Sequence, residues 1–202
     1  DDWGRLTDHL RAMDLKILGP IGDFTVDDAR VYHEATYSIG MGAGRRFVKQ
    51  VDLAGRQRIL DIGGGSGAYC INAAQTYPEI KAVVFDLPPV IEVANEFIAE
   101  HGVAERVSAV GGDFTKDNFP AGADVLIMAS NLPMYGPEMI GRVVQKAFDA
   151  LEPGGEMHLI GETLDNDRRG PVGPAYWGLG QAISETQGIA HSEADCIGYF
   201  AT

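Results

Sequence analysis

The chain has 202 residues, 45% of them hydrophobic, with 16 basic and 29 acidic side chains and a formal net charge of -13. That length fits one domain that buries its own core without disulfides, and the acidic balance speaks against nucleic acid as a partner, because a negative surface repels phosphate. No run approaches a membrane span, and Cys70 and Cys196 lack ligand spacing; a cytoplasmic protein with reduced thiols, no bound metal and no membrane contact is expected.

Trp3, Leu6, Leu10 and Met13 recur at helical spacing, so residues 2–13 read as an amphipathic helix. A loop through Gly19, Pro20 and Gly22 follows. A second helix begins at Asp27 and carries Val31, Tyr32, Ala35 and Ile39. Gly40, Gly42 and Gly44 weaken it, and Arg46 to Val51 resumes it. From Arg58 onward, apolar runs of strand length alternate with helices. The strands read as Arg58–Ile62, Ala82–Phe85, Val107–Val110, Val125–Ala129 and Met157–Gly161. The helices between them lie near Tyr69–Tyr77, Pro89–His101 and Glu138–Leu151, with Gly154 and Gly155 marking the end of the third. After a polar loop from Asp165 to Pro174, two helical pieces follow near Ala175–Gln187 and Ser192–Phe200. Strand and helix in alternation mean βαβ units and a parallel sheet with right-handed crossovers. The expected strand order is 3-2-1-4-5, with residues 1–56 as a helical preface and 57–202 as the core domain. The chain opens on Asp1 and still reads as helix from Ile197 to Thr202, so a fragment of a longer protein is expected.

The strongest local signal is Ile59-Leu60-Asp61-Ile62-Gly63-Gly64-Gly65-Ser66-Gly67, a strand running into glycines with a helix directly after. Glycines there permit positive φ and a close approach of ligand to backbone, and the helix start offers amide groups. A dinucleotide loop would read Gly-x-Gly-x-x-Gly; here the spacing is Gly-x-Gly-x-Gly, preceded by an acid unwelcome beside a pyrophosphate. Asp61 suits a ligand with a positive amino group. The second strand ends Val83-Val84-Phe85-Asp86, nineteen residues beyond Gly67. An acid there can hold the two hydroxyls of a ribose. The third strand leads into Gly111-Gly112-Asp113-Phe114, an acid for an adenine amino group and a ring to cover the base.

With Leu60 to Gly67, Val84-Phe85-Asp86-Leu87-Pro88, Gly111 to Phe114 and Leu151-Glu152-Pro153-Gly154-Gly155 in place, the stretch from Leu60 to Glu162 resembles the class I S-adenosylmethionine (SAM)-dependent methyltransferases. Within them it resembles the O-methyltransferase family of plant caffeate-type and bacterial antibiotic and pigment enzymes. The segment His33-Glu34-Ala35-Thr36 is similar to that family's pre-core helix. The resemblance implies a Rossmann-like doubly wound α/β fold and a small-molecule methyl acceptor, with S-adenosylhomocysteine (SAH) as product. It implies Gly63, Gly65 and Gly67 along the methionine part of SAM, Asp86 with Leu87 at the ribose, and Gly112, Asp113 and Phe114 at the adenine. Asp61 and Ser130 complete the expected cofactor residues. It further implies a homodimer in the full-length protein, through an N-terminal domain, and two more strands beyond the fifth.

The resemblance fails where the family's O-methylating members keep their base. They place a His shortly after the fourth strand, and it takes the proton from the acceptor hydroxyl. Here the stretch reads Met128-Ala129-Ser130-Asn131-Leu132-Pro133-Met134-Tyr135, with Pro133 at the His position. An orienting Glu before the last helix is replaced by Ala190, while Glu162 is kept. His33, Tyr135 and His191 are the candidate substitutes, residue types that are more often structural or on the surface. Alternatively the acceptor needs no deprotonation. A thioether sulfur is already a nucleophile, and some bacterial S-methyltransferases of methylthio acids are similar to this family. Arg45, Arg46, Arg168 and Arg169 are then candidates for an acceptor carboxylate. Tyr32, Tyr176 and Trp177 are candidate acceptor contacts. Two other classes stay open: a SAM-binding protein with different chemistry, and a non-catalytic binding module.

Overall fold

In the computed structural model, residues 24–183 and 187–201 are described, together with Gly4, Thr7, Asp8 and Arg11. Trp3, Leu6, Leu10 and Met13, the apolar positions of the expected first helix, and the loop through Gly19, Pro20 and Gly22 lie outside the described residues. The described elements run α1 (Val26–Gln50), β1 (Arg58–Ile62), α2 (Ala68–Thr76), β2 (Lys81–Asp86), α3 (Pro88–Glu100), β3 (Val107–Gly111), β4 (Ala123–Ala129), a 3-10 turn (Leu132–Met134), α4 (Pro137–Ala150), β5 (Leu151–Ile160), α5 (Val172–Ile183) and α6 (Glu193–Tyr199).

The five strands form one parallel sheet in the order β3-β2-β1-β4-β5, as the alternation of elements predicted. Strand β1 pairs with β2 through Ile59 opposite Ala82 and Ile62 opposite Phe85, and with β4 through Ile59 opposite Val125. Ile59, Leu60, Ile62, Val125, Leu126, Ile127 and Met128 are all buried, so the central strands are covered on both faces and read as near-continuous apolar runs. The order reverses at β1, and the glycine turn follows directly from it.

Helix α1 corrects the expectation of an interrupted segment. It is continuous from Val26 to Gln50, straight through Gly40, Gly42 and Gly44. Tertiary packing outweighs helix propensity here: a Cβ on Gly44 would stand 2.7 Å from the Ala68 carbonyl oxygen, and one on Gly40 3.4 Å from Ala68 Cβ. Glycine lets α1 lie close against α2. Thr25 caps the helix; its Oγ1 accepts from the Asp28 amide at 3.2 Å, and Asp28 accepts from the Thr25 amide at 2.9 Å. On the α3 side, Tyr37 stacks on Phe97 at 4.5 Å, and its hydroxyl meets His101 Nε2 at 2.8 Å. These contacts fix the face of α1 that carries Tyr32 and His33.

Two other boundaries move. Gly154 and Gly155 were expected to end the third helix, but α4 stops at Ala150 and both glycines belong to β5. Gly154 has φ +83, and a Cβ on Gly155 would stand 2.9 Å from the Glu152 carbonyl oxygen, so the backbone turns tightly where the strand begins. At the other end, α6 closes at Tyr199 with Phe200 as its cap, and Thr202 lies outside the described residues. Cys70 is buried and Cys196 is partly buried, both as free thiols. Among the described residues no helix is long and apolar enough to cross a membrane.

The chain divides into two compact units: Phe24–Ala129 with Lys146–His158, and Ser130–Gln145 with the described residues from Leu159 onward.

Candidate functional site

In the first unit, the turn after β1 is built for close approach. Gly63, Gly65 and Gly67 have φ of 62, 56 and 76, a region that favours glycine. The Gly63 amide donates to the Phe85 carbonyl at 2.8 Å, which ties the turn to the end of β2. Gly64 packs on Asp61; a Cβ there would stand 2.7 Å from the carboxyl.

Asp86 ends β2 and fastens the turn. Its Oδ2 accepts from the Gly65 amide at 2.8 Å, and its Oδ1 accepts from the Leu87 amide at 2.7 Å. Burial pushes its pKa up, and these two amides work against that shift. Asp61 is only 1% exposed. Cys70 Sγ lies 3.9 Å from its Oδ2, and its Oδ1 is buried without a hydrogen-bond partner. Burial first, and then the charge of Asp86, push the Asp61 carboxyl up to about 8. A buried acid with an orphaned oxygen beside a second buried acid is a place where a cationic group would be stabilised.

Those shifts have a sign. A carboxyl raised in the folded chain stabilises it fully below its unfolded pKa, and that stability is lost as pH rises through the folded value. The melting temperature of the ligand-free protein should therefore fall between about pH 4 and pH 8, and Asp61→Asn should flatten that fall. Parallel curves for wild type and variant in differential scanning calorimetry would remove Asp61 as the cause.

Beyond β3, Gly112 is needed for space: a Cβ would stand 2.3 Å from the tip of the Phe85 ring. Asp113 is drawn into its own turn. Its Oδ1 accepts from the Thr115 amide at 2.9 Å and the Thr115 hydroxyl at 2.6 Å, and its Oδ2 pairs with Lys116 at 2.8 Å. Burial raises its pKa, but Lys116 and Thr115 outweigh that and hold it below the usual carboxylate value. Phe114 is buried rather than open. His33, on α1, lies over the glycine turn; a Cβ on Gly65 would stand 2.7 Å from its Cε1. Burial pushes its pKa down. Tyr32 packs edge-on against it at 5.1 Å and is 58% exposed.

In the second unit, the segments around Pro133 and Ala190 meet. A Cβ on Gly188 would stand 2.2 Å from the Pro133 carbonyl oxygen, so only glycine fits there. His191 is 1% exposed, with Nε2 2.9 Å from the Tyr135 carbonyl and Nδ1 2.8 Å from the Tyr199 hydroxyl. A carbonyl only accepts, so Nε2 carries the hydrogen, and Nδ1 takes that of Tyr199, whose pKa burial pushes up to about 12. Both ring nitrogens make hydrogen bonds, as in a histidine that serves packing. Tyr135 holds this histidine through its main chain. Glu162 reaches the first turn of α5, with Oε2 2.9 Å from where a Gly173 Cβ would be. Ser130 is exposed at φ 62, an uncommon conformation for a residue with a side chain, and its amide donates to Ile160 at 2.8 Å. Arg168 is held by Asp195 Oδ2 at 2.6 Å and the Ala190 carbonyl at 3.3 Å, so it does not stand open for a carboxylate. Tyr176 and Trp177 are 60% and 58% exposed on α5.

A parallel sheet that reverses its order beside a glycine turn, with acids at the ends of consecutive strands, defines a Rossmann-like domain of the class that binds nucleoside cofactors. The chain belongs to the O-methyltransferase domain family, which matches it over residues 24–197. The 3-hydroxy-5-methyl-1-naphthoate 3-O-methyltransferase of Streptomyces sahachiroi is 32% identical over 153 residues, covering 75% of this chain and 44% of that protein. The L-tyrosine C(3)-methyltransferase of Streptomyces lavendulae is 33% identical over 130 residues, 64% of this chain and 36% of that protein. Human N-acetylserotonin methyltransferase, solved in complex with SAM, superposes with a TM-score of 0.84 at 25% identity, across 99% of this chain and 59% of that one. The chain thus spans less than half the length of these two curated relatives.

Proposed function

We propose that this chain is the cofactor-binding core of a SAM-dependent small-molecule methyltransferase whose acceptor carries its own nucleophilic lone pair, a thioether sulfur in the leading reading. The residues present suit SAM. The cradle of Gly63, Gly65 and Gly67 would take the methionine part, and the orphaned Asp61 Oδ1 would meet its ammonium directly or through water. Asp86 with the Leu87 amide would hold the ribose, and Gly112, Asp113 and Phe114 the adenine. When bound, SAM supplies an electrophilic methyl group on sulfur, which a thioether lone pair accepts as SAH departs, with no proton to remove.

The carrying observation is the absence of a free base where the family keeps one. Pro133 has no proton-accepting side chain, Ala190 cannot orient a base, and the adjacent His191 has both nitrogens engaged. Catalysis then reduces to positioning and exclusion of water. The competing reading is hydroxyl methylation with a relocated base. It is favoured by the O-methyltransferase relative at 32% identity and by the His33 ring over the glycine turn.

Turnover of the full-length protein with SAM, read by product mass against matched hydroxyl, thiol and thioether compounds, separates the two. Thioether methylation should dominate, and His33→Gln should leave kcat within about threefold. General-base catalysis is worth about 10²–10⁴-fold, so a loss of about a hundredfold with SAM affinity intact would return the protein to hydroxyl chemistry. Binding of SAM without a methylated product from any acceptor would favour a different role.

A further inference from the structure

Lys146, on α4, is a lysine with no part in any motif. Its Nζ donates to the Phe114 carbonyl at 2.7 Å and the Asp117 carbonyl at 2.5 Å, and stands 4.5 Å over the Phe119 ring. Phe119 in turn packs edge-on against Phe85 at 5.6 Å, and Phe85 precedes Asp86 in β2. Asp117 Oδ2 accepts from the Asp113 amide at 2.8 Å. A single ammonium therefore fastens the turn after β3 at two carbonyls and, through two aromatic rings, bears on the end of β2.

We infer that Lys146 is a positioning residue for the adenosine part of the cofactor, holding Asp113 and Phe114 in register with Asp86. This rests on the proposed cofactor reading. Carbonyls bridged by a charged donor form stronger hydrogen bonds than neutral pairs, and the ring below adds a cation–π contact. The partly buried ammonium is partly desolvated, and burial lowers its pKa, with the charges of Asp117 and Asp113 opposing that shift. Such a cation is retained where its bonds hold something in place. Within the turn the Lys116 and Asp117 amides return to the Asp113 carbonyl, whereas Lys146 ties the turn to α4.

Calorimetry with SAH on the full-length protein tests this. Lys146→Met should raise Kd about tenfold, the worth of a charged hydrogen bond. Lys146→Arg, which keeps the charge and can reach both carbonyls, should recover most of that loss, as a merely space-filling role would not allow. Lys146→Met combined with Asp113→Ala should be less than additive, because the second change removes what the first leaves unplaced. Should Lys146→Met not fold, Lys146→Gln takes its place with a rise of about threefold. A variant Kd within error of a wild type that binds SAH overturns this inference alone, and so does strict additivity with Asp113→Ala. A wild type that does not bind SAH overturns the cofactor reading as well.

Discussion

Asp86→Ala is expected to raise the Kd for SAH about a hundredfold or more. In the proposed complex the carboxylate accepts from ribose hydroxyls, and in the ligand-free chain it already accepts from the Gly65 and Leu87 amides. Alanine removes the ligand contacts and also releases the turn that would hold the methionine part. Hydrogen bonds to a charged group are worth about 1.5–3 kcal/mol, and about 2.8 kcal/mol corresponds to a hundredfold. The ligand-free melting temperature should change much less, because the lost amide bonds are offset by removal of a buried charge whose pKa burial has raised. An SAH affinity within about threefold of wild type in calorimetry would take Asp86 out of the site.

His191→Ala is expected to do the opposite, with a large loss of stability and little loss of chemistry. The ring is buried, and its removal leaves a cavity beside the Tyr199 hydroxyl and the Tyr135 carbonyl, both deprived of a partner. Two lost hydrogen bonds and a void amount to about 3 kcal/mol, a fall of roughly 6–12 °C in melting temperature for a domain of this size. Below that transition, kcat per folded molecule should remain close to wild type. A kcat lowered about a hundredfold at an unchanged melting temperature would make His191 the relocated base instead.

The part of the site that belongs to one strand and its following turn was legible in the sequence, because the chemistry there is local. Gly63, Gly65 and Gly67 were expected to need a permissive backbone, and each has positive φ. The ends of β2 and β3 delivered Asp86 and Asp113 to the same edge of the sheet, since parallel strands present their carboxyl ends together. What a side chain does once there was less legible. Asp113 was expected at an adenine, and Thr115 and Lys116 also engage it in its own turn. Phe114, expected to cover a base, has most of its surface buried.

Sequence by itself determined the strands and the glycine turn, because burial periodicity and backbone permissiveness are properties of short segments, and the alternation of strand with helix pointed to the parallel sheet. It also determined that Pro133 cannot serve as a base, which follows from the residue's covalent structure. Tertiary structure alone decided that α1 runs unbroken through three glycines, since only the nearness of Ala68 and Asn72 makes a missing side chain an advantage at Gly44. It alone decided that His191 is locked by partners eight and fifty-six residues away. And it alone singled out Lys146, whose two carbonyl partners lie thirty-two and twenty-nine residues off. Hydrogen bonds between segments so far apart leave no periodicity or motif in the chain; they exist only once the sheet has brought the segments together.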